Sequence, residues 1–256
     1  MAAAAYDRTI ERRTEKTGNT LKECFPDYSD SSIIKPDINT MKITKISAIS
    51  IALLAISSAF SGCCNSSDNQ TETEVSVSET VIENIMTRRS IRKYRPQPVG
   101  RDTMQIILNC GINAPNGQNK QSWEVRVVDN PEYINGITAA YLKENPAAGK
   151  DPSFVNMFRN APTVVFIAND HSYDFSQIDC GLLAENMILS AWSMGIGSCC
   201  LGGPARFMTG SPAAADYVKQ LGFSEGYDLL ICIAFGYPDE TPAAKPRDAS
   251  KARYID

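Results

Sequence analysis

Residues 228–236 read DLLICIAFG, and residues 163–168 read TVVFIA. Each is an almost unbroken apolar run, rich in β-branched residues and short of helix length. Such runs predict strands covered on both faces. WEVRVVD, 123–129, alternates instead, with Trp123, Val125 and Val127 on one side. That pattern predicts a half-buried strand. Helical patterns fill the intervals. Thr80 and Glu83 form a T-x-x-E capping box, followed by an apolar stripe of Val81, Ile82, Ile85 and Met86, which places the start of the domain near Ser78. Asp102 is positioned to cap a helix through MQIILNCG that stops at Gly111 or before Ala114-Pro115. PEYINGITAAYLKEN carries Pro131 in a first turn. SPAAADYVKQLG reads as a capped amphipathic helix. Residues 177–194 predict a long helix, apolar on most sides and ending at Gly195. Such a helix sits centrally or in a subunit interface. Strands interleaved with helices imply an α/β or α+β domain of about 175 residues.

The chain has 256 residues, 25 Lys+Arg, 29 Asp+Glu and a single histidine, His171. A net charge of −4 argues against a general nucleic-acid binder. One histidine weighs against a His-rich metal site, and the eight cysteines include no C-x-x-C pair. Cys110, Cys180 and Cys232 read as small buried apolar residues. Cys199 and Cys200 either pack beneath the loop that follows them or act on a bound ligand or substrate.

Against this acidic balance, TRRSIRKYRPQPV (87–99) gathers Arg88, Arg89, Arg92, Lys93 and Arg95. Arginine offers planar, bidentate donors to phosphate oxygens, and the Ser90 hydroxyl adds another. A solvated basic face is the alternative. Three further segments bear on the choice. APNGQNKQSWEVRVV, 114–128, crowds Asn116, Gln118, Asn119 and Gln121 ahead of a strand, offering amide donors and acceptors to a heterocycle. SMGIGSCCLGGP, 193–204, reads as a loop with four glycines, where backbone can approach a flat ligand. AFGYPDETPAAKPR, 234–247, ends in Lys245 and Arg247.

Taken in order, these four segments resemble the nitroreductase family of flavoenzymes across about residues 80–256. The resemblance implies an α+β fold: a dimeric three-layer α/β/α sandwich around a mainly antiparallel sheet. It implies FMN as cofactor, NAD(P)H as electron donor, and a homodimer with the flavin at its interface. Arg88, Arg89, Ser90 and Arg92 then correspond to phosphate and ribityl ligands, with Lys245 and Arg247 closing on the phosphate. Pro115, Asn116, Gly117 and Asn119 correspond to flavin contacts from the other subunit. Leu201, Gly202 and Gly203 pass near the isoalloxazine, and Asn156 is a further phosphate-side candidate. Lys93 and Arg95 read as surface residues. One departure is Ser122 in Gln121-Ser122-Trp123, where the family usually carries proline, implying a less rigid loop. Another is Gly202, where some relatives place an acid.

The implied activity is ping-pong hydride transfer through flavin N5 to nitroaromatic, quinone-like or other electrophilic small molecules. No catalytic side chain and no metal are required. The alternative is a lipid-anchored flavin- or ligand-binding protein without turnover. That anchor comes from MKITKISAISIALLAISSAFSGCC, 41–64. Lys42 and Lys45 precede an apolar stretch, 46–60, that falls short of the roughly 20 residues of a membrane span. Ser61 and Gly62 then precede Cys63. The stretch resembles a bacterial lipoprotein signal (41–62) with Cys63 as the lipidated residue, although Phe60 stands where leucine is usual. A buried core helix or an uncleaved anchor are the other readings. Residues 63–79 read as a polar tether. Residues 1–40 read as an upstream segment that is not translated, with Met41 as the true start. This places the domain in the cell envelope outside the cytoplasm; without the signal it is cytoplasmic.

Overall fold

The computed structural model describes residues 76–255. The upstream segment, the signal, Cys63 and most of the tether lie outside the described residues. The elements are α1 (Val77–Thr87), α2 (Arg101–Ile112), β1 (Trp123–Val128), α3 (Pro131–Glu144), β2 (Thr163–Asp170), α4 (Ser176–Ser193), β3 (Gly197–Leu201), α5 (Gly202–Gly210), α6 (Ala215–Leu221) and β4 (Tyr227–Gly236).

The four strands form one antiparallel sheet in the order β1-β2-β4-β3. The central pair, β2 and β4, aligns Val165 with Ile233 and Phe166 with Cys232. Each central strand serves two cores, which explains its unbroken apolar sequence. Val165, Ile167, Ile233 and Phe235 pack under α2 and α4 with Ile107, Leu183 and Met187. Val164, Phe166, Cys232 and Ala234 pack on the opposite side with Ile134, Ile137, Met208 and Leu221 of α3, α5 and α6. The architecture is therefore an α+β sandwich of three layers. Close packing of α2 on α4 depends on Gly111, where an added Cβ would lie 2.5 Å from Met187 Cγ. Cys180 and Cys232 are buried as expected, whereas Cys110 is only partly so.

Three local readings change. The first capping box is Ser76 with Glu79, one turn earlier than Thr80 with Glu83, so residues 76–79 belong to the helix start and not to a tether. Both pairs satisfy the same spacing, and the upstream one gains a full turn of helix. Gly100 precedes α2, and Asp102 lies in its first turn rather than capping it. The segment read as a glycine loop contains a strand, β3, which runs into α5 at Gly202. Glycine disguised it. A Cβ on Gly197 would lie 2.7 Å from Ile91 Cγ1, 2.9 Å from Ile91 Cβ and 3.0 Å from Pro238 Cγ. The strand has glycine there because two neighbouring segments press against it. Gly197→Ala should therefore destabilise the domain by about 1–3 kcal/mol through overpacking, read as a lowered melting temperature against Gly210→Ala, whose Cβ would meet nothing.

Candidate functional site

The charge cluster is set in place by main-chain bonds. α1 ends at Thr87, and Arg88 leaves it with extended backbone. The Ile91 N–H donates to the Ser198 carbonyl at 2.9 Å, and Ser90 bridges Ser198 in parallel, so this segment lies along β3. On its other side runs the chain that leaves β4. Arg95 N–H donates to the Tyr237 carbonyl at 2.9 Å, and Asp239 N–H donates to the Lys93 carbonyl at 3.0 Å. The Glu240 carboxylate accepts from the Arg92 N–H.

This pairing draws the two basic ends of the domain together. Arg88, Arg89, Ser90, Arg92, Lys245 and Arg247 line one cleft of about 400 Å³. Lys93 and Arg95 are exposed and lie outside it. Among the described residues the ion pairs are Arg101–Asp129, Arg126–Glu124 and His171–Asp228. None neutralises the five cations of the cleft. Arg89 Nη1 donates to the Met86 and Arg88 carbonyls, both at 2.8 Å, at the C-terminal end of α1. Five cations against the single Glu240 carboxylate leave an excess of like charge, and an anion held among them relieves this repulsion while accepting charge-assisted bonds.

Arg92 also borders a second cleft, of about 620 Å³, which contains Leu201, Gly202 and Gly203. These residues form the junction of β3 and α5. Leu201 precedes the helix without a side-chain cap, so the first N–H groups of α5 are available to a ligand. A Cβ at Gly202 or Gly203 would meet nothing within 4 Å. The chain itself therefore makes no packing demand for glycine there. Cys199 is buried and Cys200 is exposed, on opposite faces of β3. Burial pushes the Cys199 thiol above the ordinary range, against the pull of Arg92, Arg159 and Arg88. Cys200 is also raised, by desolvation and then by Cys199 and Glu185. Asn156 lies in this cleft rather than beside Lys245, and its Oδ1 accepts from the Phe158 and Asn160 N–H groups at 2.8 and 2.7 Å. It is a turn anchor. Sequence reasoning passed over Arg159, Arg206, Tyr141, Phe154 and Phe207, which line the same cleft.

Pro115, Asn116, Gly117 and Asn119 border neither cleft within one chain. They lie between α2 and β1, where Gln118, Asn119 and Gln121 take left-handed φ values of 55°, 53° and 49°. Asp179, only 2% exposed, holds this strained loop at two points. Its Oδ1 accepts from the Gly117 N–H at 3.1 Å, and its Oδ2 from the Ser122 hydroxyl at 2.8 Å. Ser122 thus ties the loop to α4, contrary to the loosening expected from the missing proline. Nearby apolar surface is uncovered. α1 buries none of its residues, with Val81, Ile82, Ile85 and Met86 exposed, as are Ile178 and Leu182 of α4.

A model described as the Nitroreductase family matches residues 85–237, more than half of the chain. The chain belongs to that family. The NADPH-flavin oxidoreductase of Vibrio harveyi is 28% identical over 172 residues, 65% of this chain and 69% of that protein. A putative NADH dehydrogenase/NAD(P)H nitroreductase of Archaeoglobus fulgidus is 28% identical over 167 residues, 63% of this chain and 87% of that one. The crystal structure of a nitroreductase with bound FMN from Desulfitobacterium hafniense superposes with a TM-score of 0.61 at 27% identity, covering 69% of this chain and 98% of that one. In this nitroreductase-family chain desolvation pushes both β3 thiols above their ordinary range. Alkylation of Cys200 by iodoacetamide should therefore be slow at pH 7 and accelerate with a midpoint above the free-thiol value of about 8.5, as followed by mass spectrometry.

Proposed function

We propose that this protein is an FMN-dependent NAD(P)H oxidoreductase that reduces nitroaromatic, quinone-like or other electrophilic small molecules. The observation that carries this is the cleft in which Arg88, Arg89, Arg92, Lys245 and Arg247 converge, none of their cationic side chains in an ion pair among the described residues. The donor set fits FMN: guanidinium, ammonium and hydroxyl groups for a phosphate, and beyond Arg92 an open cleft edged by glycines and uncapped N–H groups for a planar ring. The names of the FMN-bound and NADPH-flavin relatives agree with this set.

When bound, FMN supplies two-electron hydride chemistry through its N5. The chain's residues bind, orient and polarise. The five cations and the Ser90 hydroxyl would hold its phosphate. Leu201, Gly202 and Gly203 would bring backbone N–H groups to its ring, an arrangement that favours negative charge there. The overall reaction would follow a ping-pong order, in which NAD(P)H gives up a hydride and a nitro acceptor takes two electrons and two protons and leaves as nitroso compound and water. No side-chain acid or base is assigned to the hydride step.

The working form in this reading is a homodimer. The exposed stripes of α1 and α4 supply an apolar interface, and the strained loop carrying Pro115, Asn116, Gly117 and Asn119 completes the partner's flavin site. The reading also includes a lipoprotein-type signal over 41–62 and an envelope anchor at Cys63, supported by the Lys42/Lys45 start and the Ser61-Gly62-Cys63 end of that segment.

Arg88→Ala combined with Lys245→Ala should strip flavin and leave a folded dimer. Retention of stoichiometric FMN, read from visible absorbance after desalting, would refute the phosphate assignment. Turnover is tested by oxidation of NAD(P)H with a nitroaromatic; flavin bound without turnover would favour the binding-protein alternative. Cys63→Ser should release the protein from the membrane fraction of expressing bacteria, and an unchanged distribution would exclude the anchor.

A further inference from the structure

The cleft beside α5 carries more positive charge than a flavin needs. Its lining includes Arg92, Arg159 and Arg206 and not one carboxylate, in a chain whose net charge is −4. Arg92 is shared with the phosphate cleft. Arg159 and Arg206 are not, and among the described residues neither guanidinium takes part in an ion pair or a hydrogen bond with the protein. Arg159 is held in an unfavourable conformation. Its φ is 60° and that of Asn160 is 53°, in the turn fastened by the Asn156 side-chain Oδ1. A non-glycine residue stays in that region where its surroundings over-determine it, a condition common in ligand-binding segments. Arg206 leaves the first turns of α5, beyond the two glycines.

Three aromatic rings line the same cleft. Tyr141 stacks on Phe154 at 5.9 Å and 26°, and meets Phe207 edge-on at 5.3 Å and 87°. Aromatic rings receive planar rings by stacking or edge contact, and guanidinium groups pair with carboxylate or sulfonate in two-point geometry.

We infer that this cleft selects planar aromatic electron acceptors bearing a fixed negative charge, with Arg159 and Arg206 receiving the anion and Tyr141, Phe154 and Phe207 the ring. The inference rests on the flavoenzyme reading above and adds the charge of the acceptor. A neutral quinone or nitroarene would leave both guanidinium groups without a partner.

The test compares 4-nitrobenzoate with its neutral methyl ester. Calorimetric titration into oxidised, FMN-loaded protein without a nicotinamide donor measures binding with no turnover. The acid should bind about tenfold more tightly than the ester at low salt, the scale of a partly screened charge-assisted pair, and added salt should erode the difference. Arg159→Asn, chosen because asparagine tolerates positive φ, combined with Arg206→Gln should bring the ratio close to one with stoichiometric flavin retained. Each single variant should give part of that loss, which keeps the inference testable if the double variant does not fold. Equal affinity for acid and ester in the wild type would overturn it, as would a preference that survives the double variant. A change confined to NADPH against NADH would assign the arginines to the nucleotide and overturn it too. A protein that never takes up FMN would instead overturn the underlying flavin reading.

Discussion

The main-chain pairing of residues 90–95 with β3 on one side and with the tail beyond β4 on the other organises everything functional in this domain. Three main-chain hydrogen bonds accomplish it: Ile91 to Ser198, which forms part of the Ser90–Ser198 bridge, Arg95 to Tyr237, and Asp239 to Lys93. Backbone bonds are indifferent to side-chain identity, so the placement of this segment does not consume its cationic side chains, although Arg89 also bonds the carbonyls at the end of α1. Ile91, fully buried against Gly197, fixes the depth at which this segment sits. A shift of one residue would turn Ile91 outward and the arginines into the core.

Electrostatics follows from that placement. The Arg126 guanidinium pairs with Glu124 at 2.6 Å. Among the described residues the cationic side chains of the two clefts joined at Arg92 make no such pair. Cations kept close without compensation cost stability in the ligand-free state, a cost that a bound anion offsets. The buried Asp179 has a different task. It spends both oxygens on the Gly117–Ser122 loop, giving a strained segment a firm attachment to α4.

What the sequence disclosed depended on how local each signal was. The central strands were legible because burial on two faces writes itself as a continuous apolar run. The arginine cluster was legible because its members are neighbours, and the four ordered segments pointed to the right family. β3 was concealed because its glycine, Gly197, answers to Ile91 and Pro238, contacts that only the folded chain creates. Ser122 looked like a loosened proline site because its partner, Asp179, is remote in sequence. Arg159 and Arg206 showed no pattern at all, being brought to one cleft by a turn and a helix from separate parts of the chain. The choice between two overlapping capping boxes was open to local sequence, which states the motif twice.

The position of β3 at the end of the sheet has a further consequence. An outermost strand offers unpaired backbone groups to any other strand that meets it, the usual route to edge-to-edge association. Here that flank is occupied by Ser90 and Ile91, the segment that also carries the cationic cleft. The cationic cleft and the cover of the sheet edge thus share one short piece of chain. Whatever firms up that piece also guards the sheet against strand-to-strand aggregation at that edge.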